Sequence, residues 1–490
     1  MELKHLGRVD IEDDTSSFRG RILWAAITAN LFANVSLSGV NVALPAIQKS
    51  LGLSAVAQVW VSSSLLLATT AAIAPVARLA DIWGRRKTAV SGLVLLIVFS
   101  AVCALAQNAA WLLSGRVMMG VGLAMIFAST MAMAASVYPP GSRGLVFGYI
   151  VSAVYVGLAL GPGVCGLLVD LLGWPSLFWL TSAIMVLPFA ILVSVRNEWA
   201  EARGEKYDYG GAALWIVALS LIFIGLTRLG EPSGRLMTGA GLILGFIFVA
   251  GQFKAAKPLT DLRLFVESRR FLWSSLAAFA AYLSAMGSIF LLSLYLQYVK
   301  GLSPKEAGFY LMLQPTVQAL LTPLAGRLSD NFDPGRLSAA GLILTTAAVL
   351  MLSLGLDSET GLTYILVTLG IFGAGFAIFA APNSNAVMSS VPPAKLGMAS
   401  GIITATRLAG QIGSLSLTSL VFSLMIGPGQ ITAEVFPQFL RATKFCFMIF
   451  APACFLGAVI CLIKDRKPPQ PETRKSINPK PILESAATDV

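Results

Sequence analysis

The sequence predicts an all-α polytopic membrane protein, with two six-helix bundles plus two inserted helices and fourteen spans in all. Three observations predict it. Of 490 residues, 56% are hydrophobic and only 12% are charged. That is about half the charged share of a soluble chain, too little to cover a water-facing surface. Charge-free windows follow one another along the chain, each near the roughly 20 residues that a helix needs to cross about 30 Å of hydrocarbon. The loop pattern around Asp81 also returns at Asp330, 249 residues later.

Taken in order, residues 1–21 form a polar N-tail with Asp10, Glu12, Asp13 and Asp14, lacking the basic-then-apolar order of a cleavable signal. Spans are predicted at about 22–44, 57–77, 88–107, 111–137, 145–169 and 175–195, which make the first bundle, 22–195. The linker 196–270 carries spans 7 and 8, at about 210–228 and 236–253. The second bundle, 271–463, holds spans at about 271–298, 306–326, 337–356, 362–388, 398–425 and 445–463. The last segment, 464–490, is rich in proline and charge and is expected to be disordered. Duplicated bundles around a central site are the architecture of secondary transporters.

The net charge of +11 is a matter of placement. The loops and tails on the side of the termini hold 26 lysines and arginines, and the opposite loops hold 7. Basic residues collect on the cytoplasmic side, so both termini are expected in the cytoplasm and the chain in a cytoplasmic (inner) membrane. The excess charge therefore gives no reason to expect nucleic acid. The five cysteines lie in apolar stretches without a CxxC pair and read as small core residues, with no metal site and no cofactor.

Several motifs stand out. The loop after span 2 reads Asp81-x-x-Gly84-Arg85-Arg86, and its counterpart after span 10 carries Asp330 and, five residues on, Gly335-Arg336. Positive-inside anchoring explains the basic residues. It does not explain an acid at both positions. Span 5 contains Gly157, Gly161, Pro162, Gly163 and Gly166, a formal match to a dinucleotide fingerprint that fails on context because no strand precedes it. Glycines one turn apart beside a proline fit close helix packing. Arg116 lies well inside span 4 and Arg407 inside span 13, where a guanidinium needs a cavity, a partner or a route to the interface. Asn34, Ser36, Asn41, Gln297, Gln314, Asn383, Asn385 and Gln411, with Asn30 and Gln318, are polar residues within spans. Each alone suggests an interhelical hydrogen bond, whereas the set suggests a cavity lining. All 24 acids fall in tails, loops or span ends, the nearest to the membrane being Asp81, Asp170, Glu306 and Asp330, and the one histidine is His5.

In order and at these spans, the motifs resemble the major facilitator superfamily, specifically its fourteen-span drug:proton antiporter branch. The loop 77–87 is similar to the superfamily's first cytoplasmic signature, Arg116 with Gly120 and Gly122 to its span-4 signature, and Gly157–Gly166 to its span-5 antiporter signature. Asn41-Val42-Ala43-Leu44-Pro45 resembles the branch's opening motif, and Tyr295–Gly308 with Arg407-Leu408-Ala409-Gly410 its second half. The resemblance implies alternating access, with export of lipophilic compounds against proton entry. It also implies that Asp81 and Arg85 help close one gate, that the span-5 glycines form a packing seam, and that Arg116 tunes a proton-linked site. The chain departs from the pattern at Ala77 and Cys165, both small, and more seriously at Ser36, where many relatives carry aspartate.

That departure agrees with the acid census, because a mid-membrane proton relay normally uses a carboxylate or imidazole. A neutral or anionic lipophile is therefore expected in preference to a cation. Asp170 at the outer end of span 5 is the alternative proton carrier, and an uncoupled facilitator or metabolite permease is a further transporter reading. A polytopic membrane enzyme lacks a visible catalytic histidine or acid cluster, ATP drive lacks a phosphate loop, and a channel lacks a filter loop. The partners expected are the small molecule, protons and the bilayer, with the chain a monomer.

Overall fold

A computed structural model describes residues 6–255, 258–259, 262–391, 396–427 and 429–463. The expected tail 464–490 and the first five residues lie outside the described residues. The first bundle consists of α1 (Leu6–Leu51), α2 (Ala55–Trp83), α3 (Arg85–Ala104), α4 (Ala109–Val137), α5 (Pro140–Leu172) and α6 (Pro175–Ser194). The inserted hairpin is α7 (Tyr209–Thr227) and α8 (Pro232–Lys254). After the short α9 (Arg263–Glu267) comes the second bundle: α10 (Arg269–Tyr298), α11 (Pro304–Asn331), α12 (Pro334–Gly355), α13 (Leu362–Met388), α14 (Leu396–Met425) and α15 (Phe436–Cys461). The chain is thus all-helical among the described residues, and α1 starts well before the predicted span.

Polar caps set where many helices begin. Ser54, Asn108, Asp208, Ser268, Ser303 and Asp333 each accept a backbone N–H from the first turn of α2, α4, α7, α10, α11 and α12 respectively. Ser303 and Glu306 cap each other's backbone reciprocally. A single residue, Gly84 at φ +127°, turns α2 into α3, and a side chain there would meet both strain and the carboxylate of Glu198.

Thirteen of the fourteen long helices are long and apolar enough to cross a membrane. The fourteenth, α11, has 28 residues and sufficient reach, but Gln314, Pro315, Gln318 and Pro323 lower its apolarity. Those glutamines are buried against other helices, so lipid does not meet them.

The two bundles are packed alike. In the first, α1 lies on α5 and α6, and α4 on α2 and α3; in the second, α10 lies on α14 and α15, and α13 on α11 and α12. Glycine pairs make the likeness specific. A Cβ on Gly92 of α3 would stand 2.7 Å from the carbonyl of Gly122 on α4, and one on Gly341 of α12 would stand 2.6 Å from that of Gly375 on α13. Gly120 presses on the Leu65 carbonyl of α2 as Gly373 does on the Gln314 carbonyl of α11. Two seams join the bundles, α5 against α11 and α2 against α14, and these exchange under the same repeat. The hairpin leans on only one of them, since α7 packs on α2 and α14 while α8 packs on α7.

The span-5 glycines serve two different contacts. Gly157 and Gly161 meet the α1 backbone at Leu31 and Val35, within the first bundle. Gly163 and Gly166 meet Met312 and Pro304 of α11, and Gly308 of α11 meets the Pro162 carbonyl in return. The predicted packing seam is therefore both an intrabundle and an interbundle one.

Candidate transport site

On the side of the termini, the Asp81 loop is bound by the segment that follows α6. Asp81 Oδ1 accepts from Arg85 Nε at 3.0 Å and Nη2 at 2.8 Å, while Arg85 Nη1 donates to Glu201 at 2.7 Å and to Ser136. Glu198 accepts the backbone N–H groups of Arg86 at 2.8 Å and Lys87 at 3.1 Å, placing a carboxylate on the positive end of α3. Arg86 donates to the Leu192 and Val193 carbonyls at the end of α6, Arg78 pairs with Glu205, and the Arg85 N–H bonds the Trp199 carbonyl at 2.8 Å. Tyr207 donates to the Pro75 carbonyl at 3.1 Å. Burial pushes the Tyr207 phenol upward, with Asp208 and Tyr209 adding to the effect, so it remains a donor. Glu198, Glu201 and Glu205 thus form a strap that sequence reading missed. Their spacing of three and four residues was the available signal.

In the second copy of this loop, Arg336 is exposed and its N–H bonds the Asp333 cap at 2.9 Å, whereas the Asp330 side chain lies outside the described residues.

On the side away from the termini, hydrogen bonds tie the bundles together. Tyr298 of α10 accepts from Gln58 of α2 at 3.0 Å and donates to Gln48 of α1. Ser293 donates to the Asn41 carbonyl at 2.8 Å, and the Ala55 N–H to the Gly429 carbonyl at 2.9 Å.

Midway along the helices lies a cluster drawn from both bundles. The Tyr155 phenol of α5 lies near Gln318 of α11 and within electrostatic range of Tyr282 of α10 and Arg407 of α14. The Arg407 guanidinium sits 5.6 Å from the Tyr282 ring centroid and donates to Ser384 of α13 at 2.7 Å. Gln314 donates to Gln318 at 3.1 Å. Arg407 Nε, Gln411 Oε1 and Asn383 Nδ2 are buried without a hydrogen-bond partner. Arg407, Gln314 and Gln318 were legible as candidates. Tyr155 and Tyr282 were not, although a phenol in mid-span was the clue.

The other polar candidates mostly bond to nearby hydroxyls and carbonyls. Ser62 donates to Asn41 at 2.9 Å and Thr181 to Ser36 at 3.0 Å, while Asn34 donates to the Asn30 carbonyl at 2.8 Å. Gln297 bonds back to Ser293 at 3.2 Å and exposed Asn385 reaches Ser329. Arg116 is fully buried. Its Nε donates to the Val61 carbonyl at 2.8 Å, and both terminal nitrogens lack a partner. Asp170 is exposed in the last turn of α5.

Two pseudo-equivalent helical bundles, joined along two seams with polar residues between them, define a multi-pass membrane transporter of small molecules. Residues 26–414 and 274–488 match the Major Facilitator Superfamily, and the chain belongs to it. The chain is 26% identical to the riboflavin transporter RibZ of Clostridioides difficile (strain 630), over 90% of this chain and 95% of that one. It is 29% identical to the multidrug resistance protein Stp of Mycobacterium tuberculosis, over 78% of this chain and 72% of that one. The fold is similar to a partially occluded inward-open structure of the xylose transporter XylE of E. coli, with a TM-score of 0.65 at 14% identity over 93% and 100% of the two chains. It is a secondary transporter and not an enzyme.

Proposed function

We propose that the chain exports lipophilic small molecules of neutral or anionic character from the cytoplasm by alternating access, with protons as the coupling ion. It sits in a cytoplasmic membrane as a monomer with both termini cytoplasmic. The observation that carries the charge class is the absence of any carboxylate or imidazole between the end turns of the spans, while Arg116 and Arg407 stand within them. A lipophilic cation would find no counter-charge at mid-depth, whereas an anion would find a guanidinium and a polar neutral molecule would incur no charge penalty there. Similarity to Stp supports export of drug-like compounds, and the ties on the side away from the termini support a state open toward the cytoplasm.

In this reading Asp81, Gly84, Arg85 and Arg86, with Asp330 and Arg336, form the cytoplasmic gate. Gly157, Gly161, Pro162 and Gly166 keep the α5 backbone close enough to its neighbours to slide, and Arg116 with Arg407 sets the positive potential of the cavity. The division into bundles 22–195 and 271–463 around the linker 196–270 follows the same reading. Reconstitution into liposomes with an imposed pH gradient tests it. Accumulation of neutral and anionic lipophiles with little movement of cations is expected, and strong gradient-driven efflux of a lipophilic cation would sink it. Asp170 supports a second route for the proton, being exposed at the outer end of α5. Fully gradient-driven transport by Asp170→Asn excludes that route.

A further inference from the structure

We infer that Arg407 with the Tyr282 ring beside it, completed by Tyr155 and Gln318, is a subsite for aromatic monoanions, with the acidic group on Arg407 and the ring system against the two phenols. This deepens the proposed export reading and rests on its charge class. The cluster draws on α5 of one bundle and on α10, α11, α13 and α14 of the other. A point where five helices of two bundles converge at mid-depth faces the interior and not lipid.

None of these five helices carries an acid between its end turns. Among the described residues, Arg407 donates to the Ser384 hydroxyl and lies beside the Tyr282 ring, with Nε buried without a hydrogen-bond partner. A guanidinium in a low-dielectric site is costly without an anion, and its planar fork matches a carboxylate or sulfonate. The Tyr282 ring lies beside that fork, and a ligand's own aromatic ring gains from packing against tyrosine faces and a cation. Gln411 Oε1, one turn along α14, is a further buried acceptor without a partner, suited to a hydroxyl or N–H on the ligand. Because Tyr155 comes from one bundle and Gln318 from the other, a ligand that separates them also loosens a contact between the halves.

The test is equilibrium binding of radiolabelled 2-naphthoate and of its neutral isostere 2-naphthamide to the full chain in nanodiscs. Arg407→Gln is expected to weaken naphthoate at least about tenfold while leaving naphthamide within about twofold, the loss expected of a charge-assisted contact. Arg407→Lys should fall between, since it keeps charge and loses the fork. Unchanged naphthoate binding in Arg407→Gln, or equal weakening of both probes, overturns the assignment. Should Arg407→Gln not fold, Ser384→Ala and Tyr282→Leu read the same ratio of the two probes, and an unchanged ratio in both overturns it equally. Naphthoate binding that depends on Arg407 in a protein that moves no lipophile in proteoliposomes would leave the subsite standing and remove the export reading.

Discussion

The Asp81 carboxylate grips the Arg85 guanidinium across the corner between α2 and α3, one oxygen accepting from Nε at 3.0 Å and from Nη2 at 2.8 Å. Arg85 is largely buried, with 9% of its side chain exposed, whereas its other acidic partner Glu201 is 66% exposed. The two acids therefore differ in consequence. Asp81→Asn is expected to lower the transport rate at least about tenfold at normal abundance, because it leaves a buried guanidinium short of its main counter-charge. Glu201→Gln should change the rate less than about twofold, as exposed pairs contribute little. Initial rates in proteoliposomes matched for protein content check both, and equal effects would contradict the geometry.

Glu198 acts on backbone groups, so its effect is on stability. Replacing it with alanine removes the acceptor for the Arg86 and Lys87 N–H groups and the charge on the α3 dipole, at a cost of about 1 kcal/mol. A lower unfolding midpoint in detergent is expected, together with faster proteolysis between α6 and α7. An unaltered midpoint would show that the strap is not holding α3.

The two faces of α5 separate folding from motion. Gly161→Val intrudes on α1 within one bundle and should reduce thermal stability and yield. Gly308→Val intrudes on the Pro162 carbonyl across the seam, where the bundles can shift apart. It should fold near normally yet transport at least about tenfold more slowly, since only a moving interface is blocked. Thermal melts and transport rates on both variants distinguish this from a uniform packing defect.

Arg116 presents a third case. Two of its nitrogens are buried without partners, a burden that methionine of similar length does not carry. Arg116→Met is expected to match or exceed the native protein in thermal stability while losing transport at least about tenfold. A loss of stability in step with transport would assign Arg116 to packing alone.

Much of this was readable from residues. The spans and the two arginines within them follow from local rules, because hydrocarbon imposes length and apolarity on every helix independently. The strap was not readable, since Glu198, Glu201 and Glu205 look like any solvated acids until folding carries them over the α2–α3 corner. Tyr155 and Tyr282 were hidden likewise, 127 residues apart in chain and joined only around Arg407.

By itself the sequence determined the membrane class, the order of helices, the doubled architecture and the scarcity of mid-membrane acids, because each is a property of single segments or of the charge census. Tertiary structure decided which glycine faces which neighbour and which asparagines are spent on one another. It also decided which polar groups are left buried without a hydrogen-bond partner. Those outcomes depend on helix rotation and on contacts between segments far apart in chain, and local periodicity carries no record of either.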